Sequence, residues 1–198
     1  LKKKGIEHPF QIQERAIPAA LEGRDILAKA PTGSGKTLAF ALPIVERITA
    51  NASRPAALVL VPTRELAVQV AEEFTLLANP RKLRVITVYG GVSIVPQIKK
   101  AKEAHILVAT PGRLQDLIDR RAVNLSGVEV LVLDEADRML DMGFKPQVDR
   151  ILKAMPGDRQ TLFFSATLDG AVGELARAYT SSPAYIEAEL PTEALPGD

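Results

Sequence analysis

The stretch Ala30-Pro-Thr-Gly-Ser-Gly-Lys-Thr37 decides the fold, because it follows an apolar segment and precedes a segment with helical periodicity. Gly33 and Gly35 let backbone N–H groups turn inward around phosphate oxygens, and the positive end of the following helix dipole points to the same place. Lys36 offers a positive charge to the β- and γ-phosphates, and the Thr37 hydroxyl suits Mg²⁺. The stretch therefore predicts a phosphate-binding loop between a strand and a helix.

Short β-branched runs alternate with amphipathic segments along the rest of the chain. Near-continuous apolar runs such as Val130-Leu-Val-Leu133 suit strands that are buried on both faces. The alternation therefore predicts a doubly wound, mostly parallel α/β fold with helices on both faces of the sheet. The predicted strands are 25–30, 57–61, 85–89, 106–109, 128–133 and 161–164, and the predicted helices are 37–48, 64–77, 112–121, 144–155 and 171–179.

The composition excludes several classes of protein. The chain has 198 residues and no cysteine, so disulfides, thiolate zinc sites and iron–sulfur clusters are excluded. Its two histidines argue against a multi-histidine metal site. No apolar run reaches the roughly 18 residues of a membrane span and no signal peptide is visible, so we expect a cytoplasmic protein that does not contact a membrane. The chain begins without methionine, so we expect it to be part of a longer protein.

The net charge of +1 hides an asymmetry between the body of the chain and its end. Four acidic residues and no basic ones follow Tyr185, so the remainder carries 25 basic and 20 acidic side chains. A mildly positive body is compatible with a polyanionic partner but does not require one. The basic run at Lys99, Lys100 and Lys102, which is predicted to lie on a helix, and the run at Lys2–Lys4 are both interpreted as solvated surfaces.

A second motif, Asp134-Glu-Ala-Asp137, follows a predicted buried strand. The carboxyl edge of such a sheet is where ligands bind, so Asp134 suits a Mg²⁺ ligand acting through water. Glu135 beside it suits a group that orients and polarises an attacking water molecule. Alone, these acids would be interpreted as a solvated helix N-terminus, where negative charge suits the dipole. With the phosphate-binding loop in the same chain, they predict a P-loop ATPase.

The sequence Asp134-Glu-Ala-Asp137 is also the signature of the DEAD-box RNA helicases, and the rest of the chain resembles that family, in particular its bacterial RhlE-type members. The resemblance covers nearly the whole chain, with motifs in the family order. It implies that residues 1–188 are an amino-terminal RecA-like, ATP-binding domain and that 189–198 are a linker towards a second RecA-like domain. The other matching stretches are Gly5-Ile-Glu-His-Pro9 with Ile12-Gln13, Pro62-Thr-Arg-Glu-Leu-Ala67, Gly90-Gly91, Thr110-Pro-Gly-Arg113, Arg138-Met-Leu-Asp-Met-Gly-Phe144 and Ser165-Ala-Thr167.

The resemblance implies ATP and Mg²⁺ as cofactors. Gln13 has both a donor and an acceptor for adenine, which would exclude guanine. Phe10 and Gln11 stand where the family often has Thr and Pro, and Ala30 replaces the usual first glycine of the loop. We expect the family's adenine-stacking aromatic residue to fall before Leu1, and nucleotide affinity to be modest. The implied residues are, for nucleotide binding, Gln13, Ala30, Pro31, Thr32, Gly33, Ser34, Gly35, Lys36 and Thr37; for catalysis, Lys36, Asp134 and Glu135; and for the metal, Thr37 and Asp134.

The remaining motifs are implied to contact RNA or to couple it to ATP. Free N–H groups at helix N-termini suit a sugar-phosphate backbone, so binding should be independent of base sequence, and 2′-hydroxyls would mark RNA. Without the resemblance, the threonines would be interpreted as helix caps. Hydroxyl hydrogen bonds from Ser165 and Thr167 to Asp137 would connect the two sites, with capping of helix 171–179, best done by Asp169, as the alternative. The implied RNA-contacting residues are Pro62, Thr63, Arg64, Gly90, Gly91, Thr110, Pro111, Gly112 and Arg113.

Three functions are compatible with these motifs. The first is one half of an RNA helicase that couples ATP hydrolysis to local unwinding or remodelling of RNA, with its second half on another RecA-like domain. The second is a nucleotide-gated RNA clamp or scaffold without helicase activity, against which the intact Lys36, Asp134 and Glu135 argue. The third is a DNA-directed relative, which the Asp137 signature and Gln13 disfavour. The arginine finger of the family does not occur among these motifs, so we expect the chain alone to be nearly inactive.

Overall fold

The protein forms one parallel sheet. The structure, a computed structural model, describes residues 10–189. Its strands are β1 (Ile26–Lys29), β2 (Ala57–Leu60), β3 (Val85–Val88), β4 (Ile106–Ala109), β5 (Val130–Leu133), β6 (Gln160–Ser165) and β7 (Ala184–Glu187). They lie in the order β3-β4-β2-β5-β6-β1-β7, and every hydrogen-bonded pair of neighbours is parallel. The predicted doubly wound α/β fold is confirmed.

Helices cover both faces of this sheet. The helices are α1 (Gln11–Leu21), α2 (Lys36–Arg47), α3 (Arg64–Ala78), α4 (Val95–Ala101), α5 (Pro111–Asp119), α6 (Ala136–Asp141), α7 (Lys145–Lys153) and α8 (Ala171–Tyr179). Successive strand residues point to opposite faces, so Phe164 packs with α1–α3 and Phe163 with the later helices. Phe40 of α2 meets Phe164 edge to face, with ring centroids 5.3 Å apart. None of the helices between residues 10 and 189 is long and apolar enough to cross a membrane.

The sequence pattern did not predict three of these elements, which are α1, α6 and β7. Pro18 lies inside α1 and argues against a helix, yet Ile12, Ala16 and Ala20 form a buried stripe along it. The edge strand β7 buries only Ile186, so it lacks the apolar run of the central strands. Residues 1–9, which contain the Lys2–Lys4 run and the whole Gly5–Pro9 stretch, and residues 190–198 of the predicted linker lie outside the described residues. The domain boundary at 188 stays a prediction.

The order of the strands sorts the motifs into two groups. The neighbours β5, β6 and β1 end in the acidic motif, in Ser165 and in the phosphate-binding loop. The neighbours β3, β4 and β2 end in the loops that begin with Tyr89, Thr110 and Val61. Because parallel strands all end at the same edge, both groups lie along one edge of the sheet, side by side. Along the chain, the strands of the first group come before and after those of the second, because β1 precedes β2–β4 and β5 and β6 follow them, whereas the fold brings each group together.

Candidate functional site

The loop between β1 and α2 has the backbone of a phosphate cradle. Gly33 and Gly35 have φ angles of 84° and 79°, in the left-handed region where a side chain is disfavoured. The Ala30 N–H donates to the Ser165 carbonyl at 2.9 Å, which fixes the start of the loop to β6. The Ser34 hydroxyl is buried and has no hydrogen-bond partner within the described residues. The loop therefore contains a buried polar group that no other described residue satisfies.

A buried ion pair lies beneath this loop. The Lys36 Nζ is 3.1 Å from Oδ1 of Asp134, and both side chains are buried. Burial raises the pKa of the Asp134 carboxyl above its usual range, while the Lys36 ammonium opposes that rise. Apart from this ion pair, neither carboxylate oxygen has a hydrogen-bond partner in the described part of the chain. Such a carboxylate has lone pairs available for a second cation.

Replacing Lys36 by alanine is expected to abolish measurable ATP binding and to lower the free energy of unfolding by about 3 kcal/mol at neutral pH. The substitution removes the phosphate's charge partner and leaves the Asp134 carboxylate unpaired in a buried place. The stability deficit should shrink as the pH falls, because a protonated Asp134 carries no unpaired charge. Calorimetric titration with ATP and urea unfolding at several pH values measure both effects.

The double variant Lys36→Ala/Asp134→Asn is the control for this prediction. It removes the buried charge together with its partner, so stability should return while ATP binding stays lost. Wild-type affinity in the Lys36→Ala chain would contradict the phosphate-binding role of Lys36.

Glu135 has a strained backbone. Its φ of 53° and ψ of 50° lie in the left-handed region, which costs a residue with a side chain about 1–2 kcal/mol. Its Oε1 accepts a hydrogen bond from the Thr32 hydroxyl at 3.1 Å, so the carboxylate is held against the phosphate-binding loop. Strain of this kind persists where the surrounding structure holds it, often at functional sites.

These groups line a cavity of about 390 Å³ at the carboxyl edge of the sheet. Among the described residues, Lys36 is the only basic side chain that lines this cavity. A larger cavity of about 780 Å³ lies at the amino-terminal ends of β5 and β6 and contains none of the predicted site residues. The smaller cavity is lined by Phe10, Gln13, Thr32, Gly33, Gly35, Lys36, Thr37, Leu38, Leu66, Gln69, Glu73 and Glu135.

Gln13 lies at this cavity with both ends of its amide engaged. Its Nε2 donates to the Gly35 carbonyl at 3.1 Å, and its Oε1 accepts the Phe10 N–H at 3.1 Å. The side chain is buried, so it connects α1 to the phosphate-binding loop. Adenine binding by Gln13 stays a prediction, and it requires the second amide N–H or the exchange of one of these two hydrogen bonds.

The contact between the acidic motif and Ser165 differs from the expected one. The backbone N–H of Asp137, and not its carboxylate, is bonded to Ser165, whose Oγ accepts it at 3.3 Å. Thr167 is exposed and makes no hydrogen bond to Asp137. The N-cap of α8 is Gly170, without a side-chain cap, so the alternative interpretation, capping by Asp169, is wrong. The structure therefore connects β6 to α6 through one hydroxyl.

The motifs predicted to contact RNA surround a second cavity, of about 370 Å³. Thr63 caps α3, and its hydroxyl accepts the Leu66 N–H at 3.2 Å, so the capping interpretation holds for this residue. Thr110 caps α5 without a side-chain hydrogen bond. Two helix N-termini thus open onto one cavity. Its lining comprises Pro62, Thr63, Arg64, Glu65, Tyr89, Gly90, Thr110, Gly112, Arg113, Met142 and Phe144, while Gly91 and Pro111 lie outside it.

Gln97 holds two residues that line this second cavity, although no sequence motif predicted such a role. Its amide bonds the backbone N–H and carbonyl of Tyr89 at 3.3 and 3.1 Å, and its Oε1 accepts a hydrogen bond from Arg113 at 3.0 Å. Arg113 also donates to the Val92 carbonyl at 2.9 Å, so its guanidinium already holds the Gly90–Gly91 loop. The Arg64 guanidinium lies over the Tyr89 ring at 5.0 Å. Of these two arginines, Arg64 is therefore the one whose guanidinium is more available to bind an anionic ligand.

Comparison with known proteins agrees with this arrangement. The chain is 46% identical over 197 residues to the DEAD-box ATP-dependent RNA helicase CshA of Streptococcus pneumoniae, covering 98% of this chain and 38% of that protein. It is similar to the crystal structure of a DEAD box protein from the hyperthermophile Methanococcus jannaschii (TM-score 0.91, 44% identity, 96% of this chain and 52% of that one). It is also similar to a hypothetical ATP-dependent RNA helicase from Sulfolobus tokodaii (TM-score 0.87, 36% identity, 94% and 55%).

The chain thus spans about two fifths to about half of the length of these relatives. These similarities do not distinguish the RhlE-type members, so that finer assignment stays a prediction. Residues 10–175 match the DEAD/DEAH box helicase family, and the chain belongs to that family.

Proposed function

We propose that the chain is the ATP- and RNA-binding half of an RNA helicase that couples ATP hydrolysis to local unwinding or remodelling of RNA. One observation carries the proposal: the buried Lys36–Asp134 pair beneath the phosphate-binding loop lies on the same sheet edge as the cavity at Arg64. A triphosphate site and a backbone-binding site then share one rigid support. A cytoplasmic location belongs to the same proposal, because RNA and ATP are both present there.

The residues around the first cavity suit Mg²⁺ and ATP. Magnesium is commonly held by one or two carboxylates together with phosphate oxygens and water, and Asp134 and Thr37 would hold it here. No group of three or more acidic or histidine side chains within residues 10–189 would hold a metal by itself. The bound nucleotide would supply a phosphoryl group for transfer to water. Lys36 would neutralise phosphate charge, and Glu135 would orient the attacking water.

The second cavity suits a single RNA strand bound by its backbone. The N-termini of α3 and α5 offer free N–H groups there, and Arg64 adds a positive charge that is held over Tyr89. Contacts of this kind do not depend on base identity. We infer sequence-independent binding that weakens steeply with salt.

A second RecA-like domain of the same protein completes the proposal by supplying the other wall of both sites. Two other functions differ from it in measurable ways. A nucleotide-gated clamp or scaffold would bind RNA in the presence of ATP without unwinding duplexes. A DNA-directed enzyme would be stimulated by single-stranded DNA as much as by RNA. Phosphate release and strand separation by the two-domain protein, with RNA and with DNA, separate the three functions.

The chain is expected to bind Mg·ATP and Mg·ADP with dissociation constants between about 10 μM and 1 mM, and to bind Mg·GTP far less well. Gln13 offers an acceptor to the N6 amino group and a donor to N7 of adenine, whereas guanine presents two acceptors, O6 and N7, at that edge. Gln13→Ala should reduce the preference for ATP over GTP, and it should also loosen the loop at Gly35. Calorimetric titrations with the three nucleotides measure this preference. Equal affinities of the wild-type chain for ATP and GTP would contradict the adenine-binding role.

A further inference from the structure

Phe10 packs against the last glycine of the phosphate-binding loop. A Cβ added to Gly35 would collide with the Phe10 ring and would lie 2.8 Å from Gln13 Nε2. The backbone N–H of Phe10 donates to Gln13, whose amide in turn donates to the Gly35 carbonyl. The ring, the amide and the loop therefore form one connected unit, and the ring's position is set from two sides.

The ring is also open to the cavity that holds the phosphate-binding groups. Phe10 is one of the large apolar side chains that stay exposed among the described residues, with 37% of its surface accessible. Among the described residues that line the cavity it is the only aromatic one, and it lies there with Lys36 and Glu135. A flat apolar surface beside a phosphate cradle suits a ligand that has a charged end and a planar end. Nucleoside triphosphates have this chemistry.

We propose that Phe10 supplies the aromatic surface on which the base of a bound nucleoside triphosphate stacks, while the loop holds the phosphates. This inference rests on the proposed ATP-binding function. Phe10 stands where the family often has Thr, so the role belongs to this chain. Stacking tolerates any base, since every base has a π face. Phe10 therefore contributes to the affinity for every nucleoside triphosphate, and Gln13 determines which base is preferred.

Phe10→Leu tests the proposal, because leucine keeps an apolar side chain against Gly35 and lacks a π face. The affinities for Mg·ATP and Mg·GTP are expected to fall by the same factor, about five- to a hundredfold. The affinity for Mg·tripolyphosphate, which has no base, is expected to stay unchanged. A parallel loss for tripolyphosphate would overturn the proposal, since Phe10 would then act only by packing on the loop. Unchanged nucleotide affinity would overturn it too.

A fluorescent variant gives an independent measurement. The chain has no tryptophan, so Phe10→Trp creates a single indole reporter at the cavity. ATP is expected to quench its emission at saturation, because the base would lie on the indole, and tripolyphosphate is expected to leave it unchanged. Tyr185→Trp, at an exposed position of β7 away from both binding cavities, is the matched control and should respond to neither ligand. Equal responses of the Phe10→Trp emission to both ligands would overturn the stacking role.

The wild-type chain distinguishes the failure of this inference from that of the function on which it rests. If the wild-type chain binds neither ATP nor tripolyphosphate, the ATP-binding function fails and the Phe10 role fails with it. If it binds both ligands and Phe10→Leu affects them equally, only the Phe10 role fails.

Discussion

The isolated chain is expected to release phosphate from ATP at a near-background rate, without stimulation by RNA and without unwinding. Phosphoryl transfer is catalysed by positioning and by charge placed around the transferred group. Among the described residues, Lys36 is the only basic side chain that lines the nucleotide cavity, and no arginine reaches it. Addition of the second RecA-like domain should raise the rate by about 10³- to 10⁵-fold, the usual contribution of an arginine finger.

Steady-state phosphate release, with and without saturating single-stranded RNA, measures this difference. The matched comparison is between this chain and the two-domain protein at equal concentration. Single-stranded DNA of the same length is the control for a charge effect that any polyanion would produce. Robust RNA-stimulated turnover by the isolated chain would contradict the two-domain mechanism, because the chain or a second copy of it would then supply the missing charge.

Glu135→Gln in the two-domain protein is expected to keep ATP binding and to lower the turnover rate by about 100-fold or more. Glutamine preserves the shape of the side chain, and its Oε1 can still accept the hydrogen bond from Thr32. What it lacks is the negative charge that polarises the attacking water. We therefore expect Glu135→Gln to lose turnover while ATP binding is kept, whereas Lys36→Ala loses ATP binding itself.

Nucleotide titration and phosphate release under identical conditions measure the two effects of Glu135→Gln. The control is Glu72→Gln, which removes a carboxylate from the exposed surface of α3 outside the nucleotide cavity. This control should turn over at the wild-type rate. A Glu135→Gln protein with wild-type turnover would show that another group activates the water.

Local patterns predicted those parts of the site that depend on residues close together in the chain. The phosphate-binding loop and Asp134 each follow a buried apolar strand, and both lie at the sheet edge where the pattern predicts them. Gln97 was not predicted because its contacts with Tyr89 and Arg113 depend on how α4 packs beside the end of β3 and the start of α5. The amide of a lone glutamine carries no pattern that indicates such partners.

Contacts between distant segments account for the other differences. Phe10 and Gly35 are far apart in the chain, and the packing of α1 on α2 brings the ring to the loop. The hydrogen bond from Asp137 uses a backbone N–H, which every residue except proline has, so no residue type could have indicated it. The strand β7 escaped because an edge strand that buries one residue has neither an alternating nor a continuous apolar pattern.

The order of the strands has a thermodynamic consequence. Three strand spacings separate β6 from β4, the middle strands of the two groups, so the centres of the two loop clusters lie roughly 14 Å apart at about 4.8 Å per spacing. Hydrogen-bonded strands keep this distance nearly constant, and neither ligand can shift one cluster relative to the other by stretching the sheet. A second domain that closes on this edge as a rigid body must then meet both clusters at once. Under that condition ATP and RNA bind cooperatively, and each ligand raises the affinity for the other by the same factor.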